Sequence, residues 1–189
     1  MALLQEGSRA SELVAHYAQS VKGKTILTTG VTPGSIGAAY VEALAGASPA
    51  LLILVGRSVD KLEKEAAVIA SEHPEIPTRN LVADLGSFES VRKAAAEVNS
   101  WKDVEKIDIV MNSAGIMATP YRLSVDGYES QFATNHLGHF LLTNLIMDKI
   151  LASDAPRVVN FTSDGHRLGF MRWADLNFDV SYSYRLFLP

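Results

Sequence analysis

The chain has 189 residues, 48% of them hydrophobic and 20% charged, with a net charge of −4 and no cysteine. That length holds one domain with its own core, and the lack of cysteine excludes disulfides, thiolate catalysis and Cys-based zinc sites. The acidic balance argues against a nucleic-acid or anionic-membrane partner. The longest apolar run, residues 50–55, falls far short of the ~20 residues a membrane helix needs. Residues 1–6 lack the basic start and long apolar core of a secretory signal, so a soluble, cytoplasmic protein is expected.

Residues 1–21 read as a helical leader, with a loose start and an amphipathic helix over 11–21. Leu13, Val14, Tyr17, Ala18 and Val21 form its apolar stripe. Gly23 ends it, and residues 24–29 form the first strand. A glycine-bearing turn runs from Thr28 to Gly37, followed by a helix that stops at Gly46, a C′ glycine, with Pro49 just beyond. Residues 50–55 are apolar without alternation, which suits a strand buried on both faces. Ser58 caps a helix over 59–72, with Leu62, Ala66 and Ile69 inward, and His73-Pro74 stops it. The third strand spans 78–83. Ser87 caps a helix to residue 100, with Val91, Ala95 and Val98 inward. The fourth strand spans 107–111, and 117–124 is a loop. Helices follow over 125–132 and 135–151, the second carrying Leu137, Phe140, Leu141, Leu145 and Ile146. The fifth strand is 157–161, and 167–189 is an irregular tail.

Strands alternating with helices predict an α/β fold, a doubly wound parallel sheet. In such sheets the turn after the first strand lies where ligands bind. The first turn of a helix has amides without internal partners and the positive end of the macrodipole. Glycines let phosphates approach those amides, so the turn from Gly30 through Thr32, Gly34, Ser35, Ile36 and Gly37 reads as a phosphate site. The plainer alternative is a strand–helix turn that needs glycine only for positive φ.

Further short segments stand at the ends of the later strands: Val55-Gly56-Arg57-Ser58, Asp84-Leu85, Asn112-Ser113-Ala114-Gly115, Thr134–Thr143 and Arg157–Ser163. Together with Thr29–Gly37 they resemble the short-chain dehydrogenase/reductase family over about residues 22–166. The likeness is greatest to its retinol-dehydrogenase-like and fungal oxidoreductase-like branch. The resemblance implies a Rossmann-type sheet of order 3-2-1-4-5 with the later strands missing. It also implies a cofactor-binding domain over 22–166 and hydride transfer between a nicotinamide cofactor and a small carbonyl or alcohol.

The glycine turn departs from the family's Thr-Gly-x-x-x-Gly-hydrophobic-Gly by one extra residue, with Ser35 in the second glycine's place. Arg57 follows the second strand where an NAD enzyme usually has an acid for the ribose 2′-hydroxyl, and no acid lies between Ala50 and Ser58. A guanidinium there suits a 2′-phosphate, so NADP(H) is favoured over NAD(H). The family match makes Asp84 and Leu85 adenine contacts, and Asn112, Ala114 and Gly115 a close-approach turn for adenosine. It makes Asn135 the holder of a proton-relay water and Ser163 the catalytic serine. Each has a plainer alternative: an exposed helix-start arginine, a helix N-terminal acid, a tight turn, a strand-end serine. His136 and His139, three apart, lack a nearby third ligand, and no metal is expected.

The family's general acid is a tyrosine in Tyr-x-x-x-Lys. Tyr182 and Tyr184 are followed four residues later by Leu186 and Leu188, and no lysine follows Lys149. The expectation is therefore a truncated, catalytically impaired oxidoreductase. The alternative is a non-catalytic NADP-binding or partner-binding module. Without later strands the fifth strand keeps an unpaired edge, which the aromatic tail (Phe170, Trp173, Phe178, Tyr182, Tyr184, Phe187) could cover. The family commonly pairs through its long helices, so a homodimer is a further expectation.

Overall fold

A computed structural model describes residues 7–179; Tyr182, Tyr184, Leu186, Phe187 and Leu188 lie outside the described residues. The strands are β1 (Thr25–Thr29), β2 (Leu51–Gly56), β3 (Thr78–Val82), β4 (Ile109–Asn112) and β5 (Arg157–Asn160). They form one parallel sheet in the expected order, β3-β2-β1-β4-β5. Ile26 and Leu27 are both fully buried although they point to opposite faces. Leu27, Ile53, Leu81 and Val110 face a core shared with α5 (Phe88–Ser100), α7 (Gly138–Leu145) and α8 (Met147–Leu151). Ile26, Leu52 and Leu54 face a second core with α3 (Ile36–Ala45) and α4 (Val59–Glu72). Burial on both faces is why β2 reads as an unbroken apolar run.

Several local expectations are corrected. The leader helix is two pieces, α1 (Ala10–His16) and α2 (Ala18–Val21), parted at Tyr17 (φ −103°, ψ 18°). Leu13 and Tyr17 are exposed, Val21 is buried, and Val14 and Ala18 pack half-buried against the second core, so only part of the stripe faces inward. Gly46 is not left-handed (φ −65°), and Ser48 takes the positive φ of 55° two residues on. Ser58 precedes α4 without a side-chain cap, whereas Ser87 does cap α5 by accepting from the Ser90 amide. Only α6 (Ser130–Phe132) is helical within 125–132, because Gly127 turns the chain at φ +80° and Glu129 then caps α6 by accepting from the Gln131 and Phe132 amides. The long helix is not continuous. It opens as a π-helical turn, Ala133–Leu137, continues as α7, breaks at Ile146 (φ −104°, ψ 14°) and resumes as α8. Phe140 is 63% exposed rather than in the core. A 3₁₀ turn, Asp164–Leu168, occupies a stretch read as irregular. The described part of the tail packs on the loop before α6 and not over the sheet. Asn177 donates to Gly127 O, accepts from the Glu129 amide and takes the Tyr121 hydroxyl on its carbonyl.

The amino end of the sheet is pinned by Asp108, 1% exposed. Its carboxylate accepts from the Ser153 hydroxyl (2.6 Å), the Thr25 amide (3.0 Å) and Lys24 Nζ (3.3 Å). Its backbone bonds Thr25 O and the Arg157 amide, so one residue joins β1, β5 and the loop after α8. Burial would push its carboxyl up, but the bonds from Ser153, Thr25 and Lys24 outweigh it and hold it below the ordinary carboxylate range.

Glu65 was not anticipated in the core. It lies on α4, 1% exposed, with Oε1 unpartnered among the described residues. Burial first, then a hydrogen bond and like charge from Glu42 on α3, push its carboxyl from 4.5 to about 7. The folded chain thus holds this proton more tightly than the unfolded chain. Stability from this group is full below pH 4.5 and is lost as pH rises toward about 7. Glu65→Gln should melt with the parent at pH 4.5 and above it at pH values past 7, a gain read by thermal melts across that range. A constant difference at every pH would contradict this.

Candidate functional site

The site sits at the carboxyl ends of β1, β2 and β4. After Thr29 the chain turns at Gly30 (φ +77°), where a Cβ would come within 2.7 Å of Ala114 Cα. Gly37, at the start of α3, lies so close to the same turn that a Cβ would meet Gly30 O at 2.7 Å. Ser35 closes the turn. Its hydroxyl donates to Gly30 O (2.9 Å) and accepts from the amides of Ala38 (3.1 Å) and Thr32 (3.2 Å). The Ile36 and Gly37 amides carry no hydrogen bond among the described residues, so they remain for an anion. The extra residue in the turn therefore has a structural counterpart: a serine, not a glycine, satisfies two of the local donors.

A cleft of about 340 Å³ is lined by Gly30, Thr32, Ser35, Ile36, Gly37, Arg57, Leu85, Ala114 and Gly115 among the anticipated residues, with Thr29 and Thr134 besides. Arg57 is its one charged wall residue, exposed and without an ion pair among the described residues. Gly34 stands off this wall. It has φ +78° with open space around it, so it serves the turn. Asp84 is also off the wall, its carboxylate accepting the Gly86 amide at 2.9 Å in a local turn.

A second cleft of about 800 Å³ adjoins the first and shares Ile36 and residues 113–116 with it. Asn112, Asn135 and Ser163 all line this cleft, and Asn112 is not on the wall of the first. Asn112 Nδ2 donates to Asn160 Oδ1 (2.8 Å) and Thr143 Oγ1 (3.2 Å), tying β4 to β5 and α7. The Asn135 side chain clamps Ile116, accepting from its amide and donating to its carbonyl, both at 2.8 Å. That contact holds the loop after β4. Ser163 Oγ accepts the Gly165 amide at 3.1 Å, which leaves its own proton to donate. Ile36, Met117, Phe140, Val158 and Phe161 give this cleft apolar walls, and none of the described residues lining it is a carboxylate.

One connection was not legible from the motifs. Thr29 Oγ1 lies 2.7 Å from His139 Nε2 and accepts the amides of Ser113 and Ala114, each at 3.0 Å. His139 Nδ1 lies 3.0 Å from Asn135 O. Burial chiefly, and the nearby His136, hold its pKa below the ordinary histidine range against the opposing bond to Asn135 O. Both ring nitrogens are thus in use. Its spacing from His136 singled it out in the sequence, but nothing local pointed to β1.

The short chain dehydrogenase family profile matches residues 24–175, reaching beyond His166 into the tail. The chain is 33% identical over 176 residues to oxidoreductase fscI of Fusarium equiseti, covering 90% of this chain and 67% of that protein. It is 39% identical over 163 residues to human (Homo sapiens) retinol dehydrogenase 13, covering 85% of this chain and 47% of that protein. The chain thus spans about half the length of that retinol dehydrogenase. Among solved structures, an uncharacterised protein of Mycobacterium paratuberculosis superposes with a TM-score of 0.69 at 34% identity, covering 88% of this chain and 57% of that one. A xylitol dehydrogenase with NAD+ bound superposes with a TM-score of 0.64 at 26% identity, covering 79% and 54%. The chain belongs to the short chain dehydrogenase family.

Proposed function

We propose that these residues bind NADP(H) along the two adjoining clefts and belong to an oxidoreductase that interconverts a carbonyl and an alcohol. The reading is supported first by Arg57, which shares the first cleft with the open Ile36 and Gly37 amides and, among the described residues, has no ion pair and no carboxylate on its wall. Gly30 and Gly37 let β1, the turn after β4 and the start of α3 pack backbone to backbone, the tight strand–turn–helix on which a dinucleotide site is built. The cofactor, when bound, supplies or accepts the hydride. Ile36 and Gly37 would hold phosphate through their amides, and Arg57 would grip the 2′-phosphate. Ser163 donates its hydroxyl proton to the substrate oxygen as negative charge develops there. The apolar walls of the second cleft suit an apolar substrate, of which retinol, named for the human relative, is one example.

No tyrosine of this sequence stands four residues before a lysine downstream of Ser163. By themselves these residues bind cofactor with little turnover, since lacking a general acid costs about 10²–10⁴-fold. The edge of β5, with Val158, Val159 and Phe161 exposed, supports a second reading as a binding module that offers a strand edge to a partner. The deciding experiment is a thermal melt of the purified chain with NADPH or NADH. NADPH should raise the melting temperature more, and Arg57→Ala should erase the difference. Equal shifts in the unmutated chain would remove the basis for NADP(H).

A further inference from the structure

The tautomer of His139 follows from counting donors. Asn135 O can only accept, so His139 Nδ1 must carry a proton. Thr29 Oγ1 already accepts two amides, from Ser113 and Ala114, which use both of its lone pairs. What it has left is its own proton, and the partner for that proton is Nε2 at 2.7 Å. Nε2 is therefore bare and the ring is neutral. A doubly protonated ring would point a third donor at the threonine oxygen and leave the threonine proton without an acceptor. The surroundings agree: His139 is 5% exposed, and no carboxylate lines its cleft. β1 presents Thr29, the turn after β4 presents Ser113 and Ala114, and β5 presents Asn160. Among the described residues, His136 is the one other titratable side chain on that wall.

We propose that His139 is a positioning residue for cofactor binding, its neutral Nδ1–H ring holding Thr29 and the Asn135 carbonyl and so fixing the Ser113–Ala114 turn that forms the wall between the two clefts. Residues 113–116 line both cavities. Ala114 stands where Gly30 has no room for a methyl, so a shift of a few tenths of an ångström in this turn changes both cavities. The imidazole thereby links β1, the turn after β4 and the π-helical turn that presents Asn135. Removing the ring strands the Thr29 hydroxyl, which is fully buried, and lets the turn relax.

The cofactor arm of the test rests on the NADP(H) reading; the spectroscopic arm does not. In the unmodified chain labelled with ¹⁵N at histidine, His139 should show a protonated Nδ1 and a bare Nε2 at neutral pH. The resonance is identified by its loss in His139→Gln. Thr29→Val should move the Nε2 signal and leave Nδ1 protonated. An Nε2–H ring, or an averaged mixture of tautomers, would overturn the assignment. In the cofactor arm, His139→Leu should weaken NADPH binding by about tenfold or more, and His139→Gln, which keeps one polar partner, by only a few-fold. A leucine variant that binds NADPH like its parent would also overturn the proposal. If the unmodified chain binds no NADPH, the cofactor reading fails, and the ring's protonation alone decides the role of His139.

Discussion

Gly138→Ala is expected to destabilise the chain by about 3 kcal/mol or more, the upper range for forcing extra volume into a packed interior. A Cβ at this position would lie 2.2 Å from Leu85 O and 2.9 Å from Leu85 C and Cβ. Two of these three atoms are backbone, so no rotamer change relieves the contact. Alanine would gain about 1 kcal/mol of helix propensity over glycine, and the clash outweighs it. The strain falls where α7 crosses the end of β3's loop, and α7 shares its core with α5 through Leu142, Val91 and Ala95. A urea midpoint well below the parent's is the expected measurement. Gly169→Ala, where nothing lies within 4 Å, should stay within about 0.5 kcal/mol of the parent as a control. An unchanged midpoint for Gly138→Ala would mean that α7 does not approach Leu85 as described.

The second large effect is expected at Gly30, where conformation and space act together. Its φ of +77° is left-handed, and a Cβ would meet Ala114 Cα at 2.7 Å and Ala114 N at 2.9 Å. The left-handed backbone costs an L-residue about 1–2 kcal/mol, and the backbone contact adds overpacking strain of about 1–3 kcal/mol. Gly34 separates the two contributions. It has nearly the same φ, +78°, with nothing within 4 Å. Gly34→Ala should therefore lose only the conformational share of stability and keep its NADPH affinity. Gly30→Ala should lose more stability and, by pushing Ala114 away, most of its NADPH binding. Melts and NADPH titrations of the two variants side by side test this. Equal loss of binding in both would mean that the approach of Gly30 to Ala114 does not shape the site.

The sheet was legible because its signals are local and strong. Residues 50–55 and 109–111 are apolar without alternation, and the glycine turn marks the first crossover. The α4 span of 59–72 was also readable, because a helix-start serine, periodic leucine and isoleucine, and His-Pro all fall within one stretch, although Ser58 makes no side-chain cap. The breaks in the long helix were not readable. Apolar residues continue through Ile146, and the π-helical turn changes the hydrogen bonding without changing the composition. Glu65 reads as a solvent-facing residue of a charged helix; its burial depends on how α3 lies against α4. The site divides in the same way. Each strand-end motif could be recognised where it stands, and the structure gathers most of them on one cleft. The bond from Thr29 to His139 spans 110 positions, and no periodicity within either segment carries that information.

Asp108 gives this arrangement a polarity. The bonds that lock β1, β5 and the loop after α8 together converge on it at the amino end of the sheet, whereas the glycine turn and both clefts lie at the carboxyl end. Endurance and recognition therefore reside at opposite poles of the same strands. The two can drift apart in evolution: a change at the Asp108 pole alters how long the molecule survives without altering what it recognises. A change at the other pole can retune the ligand while the lock stays shut.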